Sequence, residues 1–155
     1  MARGKKKADV KVSTKTPEVG QIADIEYIEG IGPEYGKLLK NVGIKTTEDL
    51  RKKSIVEMAE VADISPKLLF KWQCIADLFR VRRAAQEYSE FIFEMGIPTV
   101  KDLSEQKADD LFKRVQNFFE DAAEKRGWHG KVRKMPTQAD IETWIASAKE
   151  LVKKS

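Results

Sequence analysis

Ile28-Glu29-Gly30-Ile31-Gly32-Pro33-Glu34-Tyr35-Gly36-Lys37-Leu38-Leu39-Lys40-Asn41-Val42-Gly43 decides how this chain is read. Two glycines around one aliphatic residue permit a tight backbone hairpin, because glycine adopts positive φ without steric cost. Pro33 suits the first turn of a helix, where its missing N–H is no loss. Tyr35, Leu38, Leu39 and Val42 then recur at helical spacing and form one apolar face. Gly43 closes that helix. Thr46, with Asp49 three residues on, caps the next one as a variant capping box.

The frame returns 53 residues later. Tyr88 falls on Tyr35, Phe91 and Ile92 on Leu38 and Leu39, and Met95 on Val42. Gly96, Ile97, Thr99, Asp102 and Leu103 fall on Gly43, Ile44, Thr46, Asp49 and Leu50. Self-similarity of this kind marks a repeat architecture. The glycine hairpin is not repeated. Arg83, Ala84, Ala85 and Gln86 replace Gly30, Ile31, Gly32 and Pro33, and all four are good helix formers. The second copy is therefore expected to run as one longer helix from about Pro66 to Met95, carrying an Arg80, Arg82 and Arg83 cluster.

The first copy resembles the helix-hairpin-helix motif, usually a sequence-independent binder of nucleic-acid backbones. With Leu68-Leu69…Trp72…Ala76-Asp77-Leu78 and Pro136-Thr137…Trp144-Ile145…Ala148-Lys149, the chain from about 24 to 152 resembles an uncharacterised tandem helix-hairpin-helix family, a domain of unknown function. That resemblance implies a fold and no activity. It also implies that Gly30, Ile31 and Gly32 offer backbone N–H groups to a phosphate. Lys37, one turn on, reaches the same anion, and Gly36 sits where the motif keeps a small residue for close helix packing. Glu29 and Glu34 flank the hairpin and oppose an anion, so a purely structural turn is the competing reading. Helix-hairpin-helix DNA glycosylases carry a similar hairpin but need further helices and a downstream catalytic acid, for which no segment here matches.

The rest of the chain reads as helices. Ile22–Glu29 is expected as a short approach helix with Ile22, Ile25 and Ile28 inward. Ser54 with Glu57 forms a capping box, Ser65-Pro66 starts a further helix, and Thr137 with Asp140 caps the last. Leu111, Val115, Phe118, Phe119 and Ala122 mark one amphipathic segment, and Ile141, Trp144, Ile145, Ala148 and Leu151 another. No alternation suggests a sheet. The expected class is all-α: tandem helix-hairpin-helix units with a C-terminal helical extension. The expected division is a basic arm over residues 1–20, a first unit over 21–63, and a second, degenerate unit with C-terminal helices over 64–155.

Charge is unevenly placed over the 155 residues, whose formal net charge is +4. Residues 1–16 carry six basic side chains, including Arg3, Lys5, Lys6 and Lys7, against Asp9, a net of +5. The remainder holds 23 basic and 24 acidic residues, a net of −1. So polar an arm cannot bury enough surface to order itself, and it reads as phosphate-seeking or merely solubilising. Lys125, Arg126, Trp128, Lys131, Arg133 and Lys134 form a second basic segment, in which Trp128 either stacks on an unpaired base or anchors the loop to the core.

One Cys and one His leave no metal-site spacing. Cys74 lies among apolar residues and reads as a small buried hydrophobe. No cofactor, no transmembrane run and no signal peptide is expected, and the expected location is cytoplasmic, with a nucleoid or ribonucleoprotein. No nucleophile arrangement is found, so the chain reads as a non-enzyme. The expected function is sequence-independent nucleic-acid binding, DNA or structured RNA, through the hairpin, the basic segments and the arm. The alternative is a protein–protein interaction module on the same fold, as an accessory subunit of a ribonucleoprotein or other complex.

Overall fold

The computed structural model describes residues 22–28, 30–125 and 135–154, with the backbone alone for 85–87 and 121–125. The protein is all-α. Its helices are α1 (Pro33–Asn41), α2 (Thr47–Lys52), α3 (Ile55–Ala62), α4 (Pro66–Leu78), α5 (Ala85–Glu94), α6 (Val100–Ser104), α7 (Ala108–Lys125) and α8 (Gln138–Lys153). Among the described residues there is no strand beyond one isolated bridge, Asp24 with Thr46. Hydroxyl side chains start five of these helices. Thr46, Ser54, Ser65, Thr99 and Thr137 each accept a hydrogen bond from the backbone N–H three residues on, a contact worth about 1 kcal/mol.

The predicted approach helix over Ile22–Glu29 shrinks to a 3₁₀ turn, Ile25–Tyr27. The reason lies in the backbone pairing of its neighbours. Ala23 N–H donates to Thr47 Oγ1, Ile25 N–H to the Lys45 carbonyl, and Thr47 N–H to the Ala23 carbonyl. Groups that a helix would satisfy internally are committed to the turn before α2. Ile25 and Ile28 are buried as expected, while Ile22 is exposed.

The predicted continuous helix from Pro66 to Met95 is broken. α4 stops at Leu78, α5 begins at Ala85, and Arg83 between them has φ 71°. This is a second hairpin on the plan of the first, where Gly30 has φ 98°. Ile31 N–H donates to the Ile28 carbonyl at 3.1 Å, and Ala84 N–H to the Val81 carbonyl at 3.1 Å. Ile28 N–H donates to Ile25 at 3.0 Å, and Val81 N–H to Leu78 at 3.0 Å. Burial overrides helix propensity here: Leu78, Val81 and Ala84 are wholly buried. The downstream halves match as well. Gly43 and Gly96 take φ 88° and 91°, and Thr46/Asp49 and Thr99/Asp102 cap α2 and α6.

The duplication extends into what the sequence suggested was a C-terminal extension. α2 and α3 pack on α4 as α6 and α7 pack on α8. Trp72 of α4 meets Tyr35 with ring centroids 4.9 Å apart, and Trp144 of α8 meets Tyr88 at 5.1 Å. α7 and α8 are thus the second unit's versions of α3 and α4. The boundary expected at 63/64 also moves. Leu69, Trp72, Ile75, Ala76 and Phe79 belong to the first core, and the second begins with Leu78 and Val81. Asp77 joins the two. Its carboxylate accepts from Val100 N–H at 2.8 Å and from Arg80 Nη1 at 2.7 Å, and lies 3.8 Å from Arg51. Among the described residues no helix is long and apolar enough to cross a membrane.

Candidate functional site

Neither α1 nor α5, the helices that follow the two hairpins, has a side-chain cap. Gly32, the N-cap of α1, has no side chain to offer, and Ala84 stands at that point before α5. Uncapped first-turn N–H groups with the positive end of the helix dipole suit an external anion.

At the first hairpin, Ile31 is buried and its N–H is taken by the Ile28 carbonyl. That removes one of the three donors expected for a phosphate. Gly30 takes a positive φ that favours glycine, and a Cβ there would meet Trp72 Nε1 at 3.3 Å. Gly32 is different: its backbone is extended, and nothing lies within 4 Å of a Cβ built on it. The fold makes no demand for glycine at 32. Gly36 serves a different contact from the expected helix packing, because a Cβ there would meet Glu26 Oε2 at 2.6 Å.

The setting of this hairpin is acidic. Lys40 is held by Asp24 at 3.1 Å and Glu26 at 3.2 Å. Burial works against the Lys40 charge, but these two carboxylates outweigh it and hold its pKa above the ordinary lysine value. Glu34 occupies the first turn of α1, and Lys37 is exposed.

The second hairpin is cationic. Its arginines do not share a helix face, as a continuous helix would have made Arg80 and Arg83 do. Arg80 is mostly buried and bound to Asp77, so its role is structural. Arg83 is 66% exposed, with only a loose approach of 3.9 Å to Asp140. Glu90 pairs with Lys71 at 3.3 Å. Arg82 N–H donates to Ser147 Oγ at 2.9 Å, which fixes the hairpin against α8. Arg82 then lines a surface groove of ≈ 520 Å³ with Thr143, Ser147, Lys149, Glu150 and Lys153.

Lys149 and Lys153 escaped the sequence reading. They stand one turn apart on α8, opposite its apolar side, and the Arg82–Ser147 contact across 65 residues helps to bring them to the hairpin. Lys125 is the last residue of α7. Arg126, Trp128, Lys131, Arg133 and Lys134 lie outside the described residues, as do Arg3, Lys5, Lys6, Lys7 and Glu29. Burial, with Asp77 and Asp102 nearby, pushes the Cys74 thiol up to about 11, so it stays protonated and unreactive at neutral pH. Among the described residues no group of acidic, His or Cys side chains is placed to hold a metal ion.

These features define a duplicated helical protein with one acidic and one cationic hairpin. The chain belongs to the DUF4332 family, a domain of unknown function, whose family model matches residues 22–151. No solved structure matches it.

Proposed function

We propose that this is a helix-hairpin-helix protein that binds the sugar–phosphate backbone of DNA or structured RNA without sequence preference and without catalysis. The observation that carries this reading is the second hairpin. There Arg82, Lys149 and Lys153 share one groove beside the uncapped start of α5, with Arg83 exposed next to them. Three cations against Glu150 favour a phosphate chain, and contacts of this kind carry no base information. The bare Gly32 and the uncapped start of α1 support a second phosphate contact at the first hairpin, weakened by Glu34. The basic arm of residues 1–16 adds charge that searches for the same ligand. This reading places the protein in the cytoplasm, with a nucleoid or a ribonucleoprotein.

Salt-dependent binding to two unrelated duplexes and one structured RNA tests it. Each neutralised phosphate contributes about −0.9 to the slope of log K against log salt on duplex DNA. Replacing Arg82, Lys149 and Lys153 together with Ala should flatten that slope by roughly 2–3 units, equally on both duplexes. Removing residues 1–16 should flatten it by a further amount of roughly 2–5 units. Slopes unchanged by the triple replacement would take the groove out of the mechanism.

A further inference from the structure

We propose that the exposed face formed by Tyr35 and Leu38 of α1 and Val61 of α3 receives an amphipathic helix from another protein, one bearing adjacent aromatic residues. The duplication itself carries this inference. In the second unit the residues matching Tyr35 and Leu38 are Tyr88 and Phe91, which are 6% and 0% exposed. Phe91 is covered by the later part of α7, with ring centroids 5.2 Å from Phe118 and 5.3 Å from Phe119. In the first unit Tyr35 and Leu38 are 38% and 41% exposed.

The difference lies in helix length. α3 has 8 residues and α7 has 18. They start in the same register, for Met58 and Ala62 are buried as Leu111 and Val115 are. α3 then turns away at Asp63, whose φ is 57°, where α7 continues. Val61 stands where the second unit has Arg114, whose Nη2 donates to the Met95 carbonyl at the end of α5 at 2.8 Å. Val61 holds the matching position on α3, and it is 57% exposed. Three large apolar side chains line the track that a longer α3 would cover, and polar Glu34, Lys37 and Asn41 are exposed around Leu38. An apolar surface rimmed in this way marks an interaction site, and a helix laid in a groove is the matching mode.

The second unit shows what such a face accepts: a helix presenting two neighbouring aromatic rings. This chain's own helix of that kind is already seated on Phe91, in any second copy as much as in the first. Residues 1–21 contain no aromatic residue and 126–134 only Trp128, so neither segment presents two neighbouring rings. The occupant we assign is a helix of another protein that presents such a pair. This inference stands apart from the nucleic-acid reading, because it uses neither the groove nor the arm.

A labelled synthetic peptide spanning residues 108–125 is the probe, titrated with the full chain and followed by fluorescence anisotropy. Saturable binding is expected, weakened at least roughly tenfold by Leu38→Glu in the protein and by Val61→Glu. A peptide with Phe118 and Phe119 replaced by Ala should not bind. Both substituted positions are exposed, so circular dichroism and nucleic-acid affinity should stay as in the parent; if one variant fails to fold, the other decides. Absence of binding up to about 1 mM peptide would overturn the proposal. So would binding indifferent to both substitutions, which would mean exchange with the chain's own α7. Self-association of the chain that Leu38→Glu abolishes would assign the face to a second copy and overturn it equally.

Discussion

The two hairpins share a backbone and differ in almost everything around it. At the first, Gly30 takes the positive φ, Lys40 is consumed by Asp24 and Glu26, and Glu34 guards the helix start. At the second, Arg83 takes the positive φ, and Arg82 joins Lys149 and Lys153. The buried pairs Ile28/Val81 and Ile31/Ala84 hold the same turn in both. Burial, more than glycine, maintains the turn, so the residue at its tip is open to change. A non-glycine residue in the left-handed region costs about 1–2 kcal/mol. Such strain concentrates at functional sites, and here it sets an arginine at the edge of a cationic groove.

The largest effect should separate the two hairpins at their bases, where Asp24 and Asp77 occupy matching positions. Asp77 is 18% exposed and accepts from Val100 N–H and Arg80. Asp77→Ala strands both donors and should cost about 2–4 kcal/mol in urea unfolding. Asp24 is 30% exposed, accepts from Glu26 N–H and pairs with Lys40. Asp24→Ala should cost about 0.5–1.5 kcal/mol. Equal losses would show that Asp77 is no more of a joint than its counterpart.

Exchanging the tips should have a smaller and asymmetric effect. Gly30→Arg imposes a side chain at φ 98° and against Trp72 Nε1, for a loss of about 1–3 kcal/mol. Arg83→Gly relieves strain of similar origin but frees the unfolded chain, which leaves a net change within about 1 kcal/mol. Nucleic-acid affinity should fall in Arg83→Gly all the same. A loss of stability above about 2 kcal/mol there would make Arg83 a structural residue and break the functional contrast.

Much of this fold is legible in the chain because its signals are local. Ser and Thr at Thr46, Ser65, Thr99 and Thr137 mark helix starts, and the 53-residue offset carries from Leu38 to Leu103. The second hairpin was not legible, because Arg-Ala-Ala-Gln argues for helix and only the burial of Leu78, Val81 and Ala84 argues against it. The wider duplication hid behind a change of offset. Trp72 and Trp144, each seven residues after its hydroxyl cap at Ser65 or Thr137, lie 72 apart, since α7 outruns α3. Lys149 and Lys153 read as an ordinary solvated helix face until Ser147 binds the Arg82 backbone. The candidate site is built across the chain, and no spacing along it encodes that contact.

The smallest expected effect is a pH dependence confined to the first unit. Glu48 accepts from Arg51 Nε at 3.1 Å and Nη2 at 2.7 Å, and pairs with Lys52 at 3.2 Å. The Arg51 hydrogen bonds, against the opposing effect of burial and with help from Lys52, hold the Glu48 carboxyl below its ordinary value of 4.5. A lowered carboxylate pKa adds stability that is complete above the unfolded-state value and fades as pH falls through the folded one. The second unit has Lys101 and Ser104 at the places of Glu48 and Arg51, so it contains no counterpart to this pair. Between about pH 6 and pH 3, Glu48→Gln should lose less stability than the parent, while Lys101→Ala should follow the parent curve. The difference should stay below about 1 kcal/mol, because both partners remain partly exposed. A Glu48→Gln curve parallel to the parent's would mean that Arg51 is held from the Asp77 side alone, and that the joint between the hairpins does not depend on α2.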